Sequence, residues 1–125
     1  MFISSRIYAG YATTALNPEP YAYESGFAVK WLIQDQIDQA RTGTPSARSG
    51  DLAAAPWLAW GPYLWARGAQ PNAAGLAWLP TDYAADGTHP ARTGEEKVGA
   101  LLLDFFKSSP FTRCWFVSDA GPCAQ

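Results

Sequence analysis

His89 is the single histidine among 125 residues, and it stands in the run Asp86-Gly87-Thr88-His89-Pro90. An aspartate that opens a turn, with a glycine inside it, lets the chain fold back and brings Asp86 towards the imidazole. A carboxylate on Nδ1 fixes the tautomer of the ring and leaves Nε2 free to take a proton from a nucleophile. The same spacing suits a plainer structure. Asp86 can close an Asx turn on its own backbone, with His89 a surface residue before a helix. Spacing alone leaves both readings open.

A base of this kind needs a nucleophile, and the serines offer no good one. Ser25 starts a helical pattern between Glu24 and Gly26, which is not a Gly-x-Ser-x-Gly elbow, and capping that helix accounts for it. Ser4 and Ser5 fall in a strand pattern, and Ser46 and Ser49 in a polar loop. Among the aromatic residues, Trp57 and Trp60 read as core filling of a buried strand. Tyr21, Tyr23, Trp65 and Trp78 remain as candidate lining of a substrate cleft. Aromatic faces stack on sugar rings, so a carbohydrate ester is one expectation for such a cleft. One histidine and two cysteines make no ordinary zinc site, so neither a metal nor a cofactor is expected. Cys114 and Cys123 have eight residues between them, the spacing of no common zinc or redox motif. A short disulfide loop and two free thiols both fit, and only the first favours an extracellular or periplasmic setting.

The composition narrows the classes. Apolar residues make up 48% and charged residues 16%, the balance of a packed chain rather than a disordered one. With 9 Lys+Arg against 11 Asp+Glu and no basic cluster, nothing attracts nucleic acid or anionic lipid. No apolar run reaches the roughly 18 residues of a membrane-spanning helix, and Met1 to Tyr8 carry no signal-peptide pattern. One domain over 1–125 is expected, with 108–125 as its tail.

The elements that must position Asp86 and His89 follow from periodicity. Phe2 to Ala9 is rich in β-branched and aromatic residues and predicts a strand. A loop from Gly10 to Glu24 carries Asn17-Pro18-Glu19-Pro20, whose prolines oppose a helix there. Val29, Ile33, Ile37 and Ala40, widened by Phe27 and Trp31, predict a helix from Ser25 to Arg41 with Ser25 as its cap. The stretch 57–60 predicts a second strand, buried on both faces and bent at Gly61-Pro62. Val98, Leu101, Leu102 and Phe105 predict a final helix over 93–107, opened by a Thr93–Glu96 capping box and stopped at Pro110.

Strand, helix, strand, loop and helix is the order of a parallel α/β sheet with crossover helices. The Asp86-x-x-His89-Pro90 block, with Gly94, Lys97-Val98 and Leu103-Asp104-Phe105-Phe106 behind it, resembles the last catalytic block of the SGNH (GDSL-type) hydrolases. The resemblance implies the C-terminal part of a three-layer α/β/α, flavodoxin-like domain. It also implies a serine esterase acting on carboxylic esters, sugar acetates among them, with Asp86 and His89 as the catalytic pair. The Gly-Asp-Ser nucleophile block and the Gly-x-Asn-Asp block of that family are absent from this sequence. The expectation is therefore a part of a hydrolase, inactive alone, whose exposed first strand invites its missing half or self-association. The alternatives are a non-catalytic, aromatic-rich carbohydrate-binding module and a degenerate relative kept as an interaction surface.

Overall fold

Pro56 and the Gly61-Pro62 pair bracket the second apolar stretch, and a proline has no amide to give to a sheet. The computed structural model describes residues 1–13 and 19–123, and it shows what that bracket does. Strand β1 (Phe2–Ile3) pairs in parallel with β2 (Ala59–Trp60), Phe2 opposite Ala59 and Ile3 opposite Trp60. The amides of Ala59 and Gly61 donate to Met1 and Ile3 carbonyls at 3.0 and 2.9 Å, and there the ladder stops. Beyond Pro62 a side chain takes over, the Ser5 hydroxyl accepting from the Leu64 amide at 2.9 Å.

The expected three-layer, flavodoxin-like α/β/α sheet is not what forms. Among the described residues 39% are helical, and the sheet has two strands. The strand expected over Phe2 to Ala9 keeps its ladder only at Phe2–Ile3, because its neighbour offers no longer edge. The second strand shrinks to Ala59–Trp60, and it is half-buried rather than buried on both faces.

Helix α1 (Tyr21–Thr42) connects the two strands and starts four residues before the expected cap. Pro20 stands at its N-cap, so the proline pair ends the loop instead of extending it through Glu24. The Asn17-Pro18 half of that loop lies outside the described residues. Ser25 is inside the helix, its hydroxyl donating back to the Ala22 carbonyl at 2.7 Å. The apolar stripe read for this helix is only half right. Ile33 is buried, but Ile37, Phe27 and Trp31 are exposed. Polar clamps do the docking instead. Gln36 donates to the Pro56 carbonyl and accepts from the Leu58 amide, while Gln39 accepts from the Leu52 amide at 2.8 Å. Asp35 holds Ser46, Arg48 and Ser49.

Helix α2 (Arg92–Ser108) matches its expected span within one residue at each end. Its capping box does not form. Ala91 is the N-cap, and the Thr93 hydroxyl donates to the Thr81 carbonyl at 2.9 Å. Ser109 is extended ahead of Pro110 and ends the helix. The tail docks through α3 (Arg113–Phe116), where Phe116 and Trp115 pack on Phe106 with ring centroids 5.3 and 5.5 Å apart. Cys114 and Cys123 are joined as a disulfide. The core lies between β1's continuation and α2: Ala66, Trp78 and Tyr83 are buried, with Ile7, Tyr8, Tyr11, Leu76 and Val98 packed around them. Among the described residues no helix is long and apolar enough to cross a membrane.

Candidate functional site

The turn that carries Asp86 and His89 is tied at three levels. At its base, Tyr83 and Pro90 form an antiparallel bridge, and the Ala84 amide donates to the His89 carbonyl at 2.8 Å. Below the bridge lies Asp82, whose side chain is 3% exposed and meets the Lys97 ammonium at 2.5 Å. Burial raises the Asp82 pKa, but the Lys97 ammonium and the Leu79 amide outweigh it, and the net shift is downward. Lys97 also donates to the Ala77 carbonyl, so one side chain of α2 holds two points of the segment leading to the turn. Gly94 completes the joint, because a Cβ there would meet the Asp82 carbonyl oxygen at 2.3 Å.

The tip of the turn is clamped from the other side. The Thr13 amide and hydroxyl both donate to the Asp86 carbonyl, at 3.0 and 3.2 Å. Gly87 has φ +64°, and an added Cβ would lie 1.8 Å from the Tyr11 carbonyl oxygen. Only glycine fits there, on both counts.

Within this frame the two readings of the Asp-x-x-His spacing turn out to be one structure. Asp86 Oδ1 accepts from the amides of Thr88 and His89 at 2.9 and 3.0 Å, which is the Asx turn. Asp86 Oδ2 lies 2.5 Å from His89 Nδ1. One oxygen holds the backbone and the other orients the ring. The imidazole, followed by the two amides, holds the Asp86 carboxyl down to about 2. The Asp86 side chain is 36% exposed and the imidazole 79%. Among the described residues nothing bonds Nε2, the nitrogen that proton transfer would use.

The other expected site residues scatter. Trp78 does not line a cleft: it is fully buried, its indole N–H donating to the Leu64 carbonyl at 2.8 Å. Trp65 is half-buried and donates to Glu19, while Tyr23 packs on it with ring centroids 4.6 Å apart. Tyr21 is exposed on the first turn of α1. Trp57, expected in the core, is 53% exposed and rests on Phe2 and Phe111. Trp60 is half-buried. No serine of the described residues bonds His89: Ser25 is tied to Ala22, Ser5 to Leu64, and Ser46 and Ser49 to Asp35. A 590 Å³ cavity opens between the end of α1 and Leu52 to Trp57, and no residue of the Asp86–His89 turn lines it.

The residues that sequence reasoning passed over are the supports. Tyr11 and Thr13 clamp the turn, and Asp82 underpins it, paired with the Lys97 that sequence reasoning places only in the block behind the turn. The Asp86-Gly87 pair signalled a glycine-requiring turn, but nothing local tells which distant segment will press on it. No protein-family model matches the chain, and neither a curated protein nor a solved structure matches it.

Proposed function

We propose that this chain supplies the base and its orienting carboxylate to an ester hydrolase, in the manner of the SGNH hydrolases that its Asp86-x-x-His89 block resembles. The observation that carries the reading is the division of labour at Asp86, with Oδ1 on the turn's backbone and Oδ2 on His89 Nδ1, while Nε2 stays open. In that role His89 takes the proton of a serine hydroxyl as it attacks the ester carbonyl, then returns it to the departing alcohol. Asp86 holds the ring in the productive tautomer and stabilises its protonated form. The serine and the oxyanion donors belong to residues outside this sequence, and the substrates are carboxylic esters, sugar acetates among them.

The test uses the chain with and without a polypeptide bearing a Gly-Asp-Ser block. By itself the chain should hydrolyse p-nitrophenyl acetate no faster than a surface imidazole, and a fluorophosphonate should label no serine. With the partner present, turnover should rise and require His89. Labelling of Ser25 in the chain alone would sink the reading, as would turnover in the pair that survives His89→Ala.

A further inference from the structure

One face of α1 is out of character for a helix in water. Tyr23, Gly26, Phe27 and Lys30 follow the i, i+3, i+4, i+7 spacing and so share a face. Apart from Tyr23, whose ring also packs on Trp65, that face does not close on the rest of the chain. It stands across from Trp60 and Tyr63 and leaves a slot of 150 Å³ between them. The walls are aromatic, with Tyr23 set edge-on to Phe27 at 5.4 Å and Trp60 to Tyr63 at 6.3 Å. Gly26 contributes no side chain to the gap, and a Cβ there would touch only Ser5, at an ordinary 3.8 Å. A glycine inside a helix costs about 1 kcal/mol against alanine, and packing does not demand this one.

We propose that this slot binds an acidic sugar residue, a pyranose ring carrying a carboxylate. Aromatic walls suit the apolar face of a single ring. Lys30 supplies the charge: it is exposed, and among the described residues no carboxylate pairs with it. Its helical neighbours at three and four residues, Gly26, Phe27, Ile33 and Gln34, carry none either. The hydroxyls of Tyr23 and Tyr63 separate a sugar from a plain aryl acid. Neither is hydrogen-bonded within the described residues, and both tyrosines line the same small gap. Partial desolvation, with Tyr23 close by, pushes the Tyr63 phenol up, as expected for a group held at the mouth of such a slot. Two free hydroxyls and an ammonium around aromatic walls complement a ring that has hydroxyls and one negative charge. The site goes beyond the hydrolase reading and stands without it, because binding uses neither His89 nor a nucleophile.

The experiment is a titration of the chain with glucuronate, glucose and benzoate, followed by the Trp60 indole N–H signal in NMR spectra. Glucuronate should saturate that signal at millimolar concentration, glucose should bind about fivefold more weakly, the value of one exposed ion pair, and benzoate should not compete. Lys30→Met should bring glucuronate down to the level of glucose, and Tyr63→Phe should weaken both sugars. Both positions are exposed, so the folded spectrum should persist. His89→Ala should bind glucuronate as the wild type does, which keeps this test separate from that of the hydrolase. The proposal is overturned by an unmoved Trp60 signal, by equal affinity for glucuronate and glucose, or by benzoate displacing glucuronate.

Discussion

Asp35 and Asp86 are two carboxylates with similar numbers of donors and opposite outcomes. Around Asp35, every donor is a fixture of the fold: the Ser46 and Ser49 hydroxyls and the Arg48 guanidinium tie helix α1 to the loop after it. Its side chain is 8% exposed, and both oxygens are occupied. Around Asp86, the backbone takes one oxygen and an imidazole takes the other, and that imidazole points its far nitrogen at solvent. A structural carboxylate ends its network inside the protein, whereas Asp86 passes its network on. That open end is the feature on which the proposed chemistry of the turn at 82–91 rests.

The largest effect should come from breaking the open end. In the chain complemented by a serine-bearing partner, His89→Ala should lower ester turnover by roughly four orders of magnitude, and Asp86→Asn by a similar factor, since an amide favours the wrong tautomer. The double variant should be no worse than either single one, because the two residues act as a unit. Asp35→Asn, by contrast, should lower the melting temperature and leave turnover per folded molecule unchanged. Loss of turnover on Asp35→Asn at constant folded fraction would erase the distinction between the two regions.

Next in size is the support beneath the turn. Trp78→Ala removes the fully buried indole that Tyr83 and Lys97 pack against, and should cost about 3–5 kcal/mol in a denaturant melt. Trp57→Ala should cost far less, because that ring is half in solvent. The pair of measurements inverts the expectation drawn from sequence, where Trp57 was core and Trp78 cleft. Equal losses at both positions would show that the core has been misplaced.

That inversion shows where sequence legibility ended. Helix α2 was readable because four apolar residues at helical spacing and a following proline are local signals, and the Asp86-Gly87 turn was readable for the same reason. The start of α1 was not, because Pro20 suits the head of a helix as well as a loop, and Ser25 looks like a cap whether or not it is one. The length of the sheet was misread because strand patterns report side chains, while pairing depends on a partner's free amides, which Pro56 and Pro62 withhold. The face of α1 was misread because Gln36, Gln39 and Asp35 dock it by hydrogen bonds that leave no hydrophobic period. At the site, Asp86 and His89 were legible together, but Thr13 reaches Asp86, and Lys97 reaches Asp82 beneath the turn, only through tertiary contact.

A smaller effect separates two explanations of Thr93. As a helix cap, it would act within α2; in the structure it bonds the Thr81 carbonyl at 2.9 Å and ties the helix to the base of the turn. Thr93→Ala should cost about 1 kcal/mol of stability, the worth of one hydrogen bond. Thr93→Ser keeps the hydroxyl and should restore it. If the loss appears instead as fraying confined to the first turn of α2, seen by amide exchange, the capping account is the right one.

The smallest effect is the pH dependence of folding, and it tests the same contrast without touching a residue of the core. Asp86 is held at about 2 by the imidazole and the turn's amides, and Asp35 is held lower still by Arg48, then by the serines. Both folded values lie below the unfolded value of an aspartate, about 3.9. A carboxyl depressed by folding adds stability that is complete above the unfolded value and is lost as pH falls through the folded one. Stability should therefore drop between about pH 4 and pH 2 for both groups, and the Asp35 share should keep falling below that window. Asp86→Asn should remove only its own part of the slope, a shallow one because the turn is open to water and the pair is screened. Asp35→Asn should flatten the acid limb more strongly. A profile in which Asp86→Asn flattens the limb as much as Asp35→Asn would mean that the turn is bound into the fold as tightly as the Asp35 cluster, and its open end would then be no mark of function.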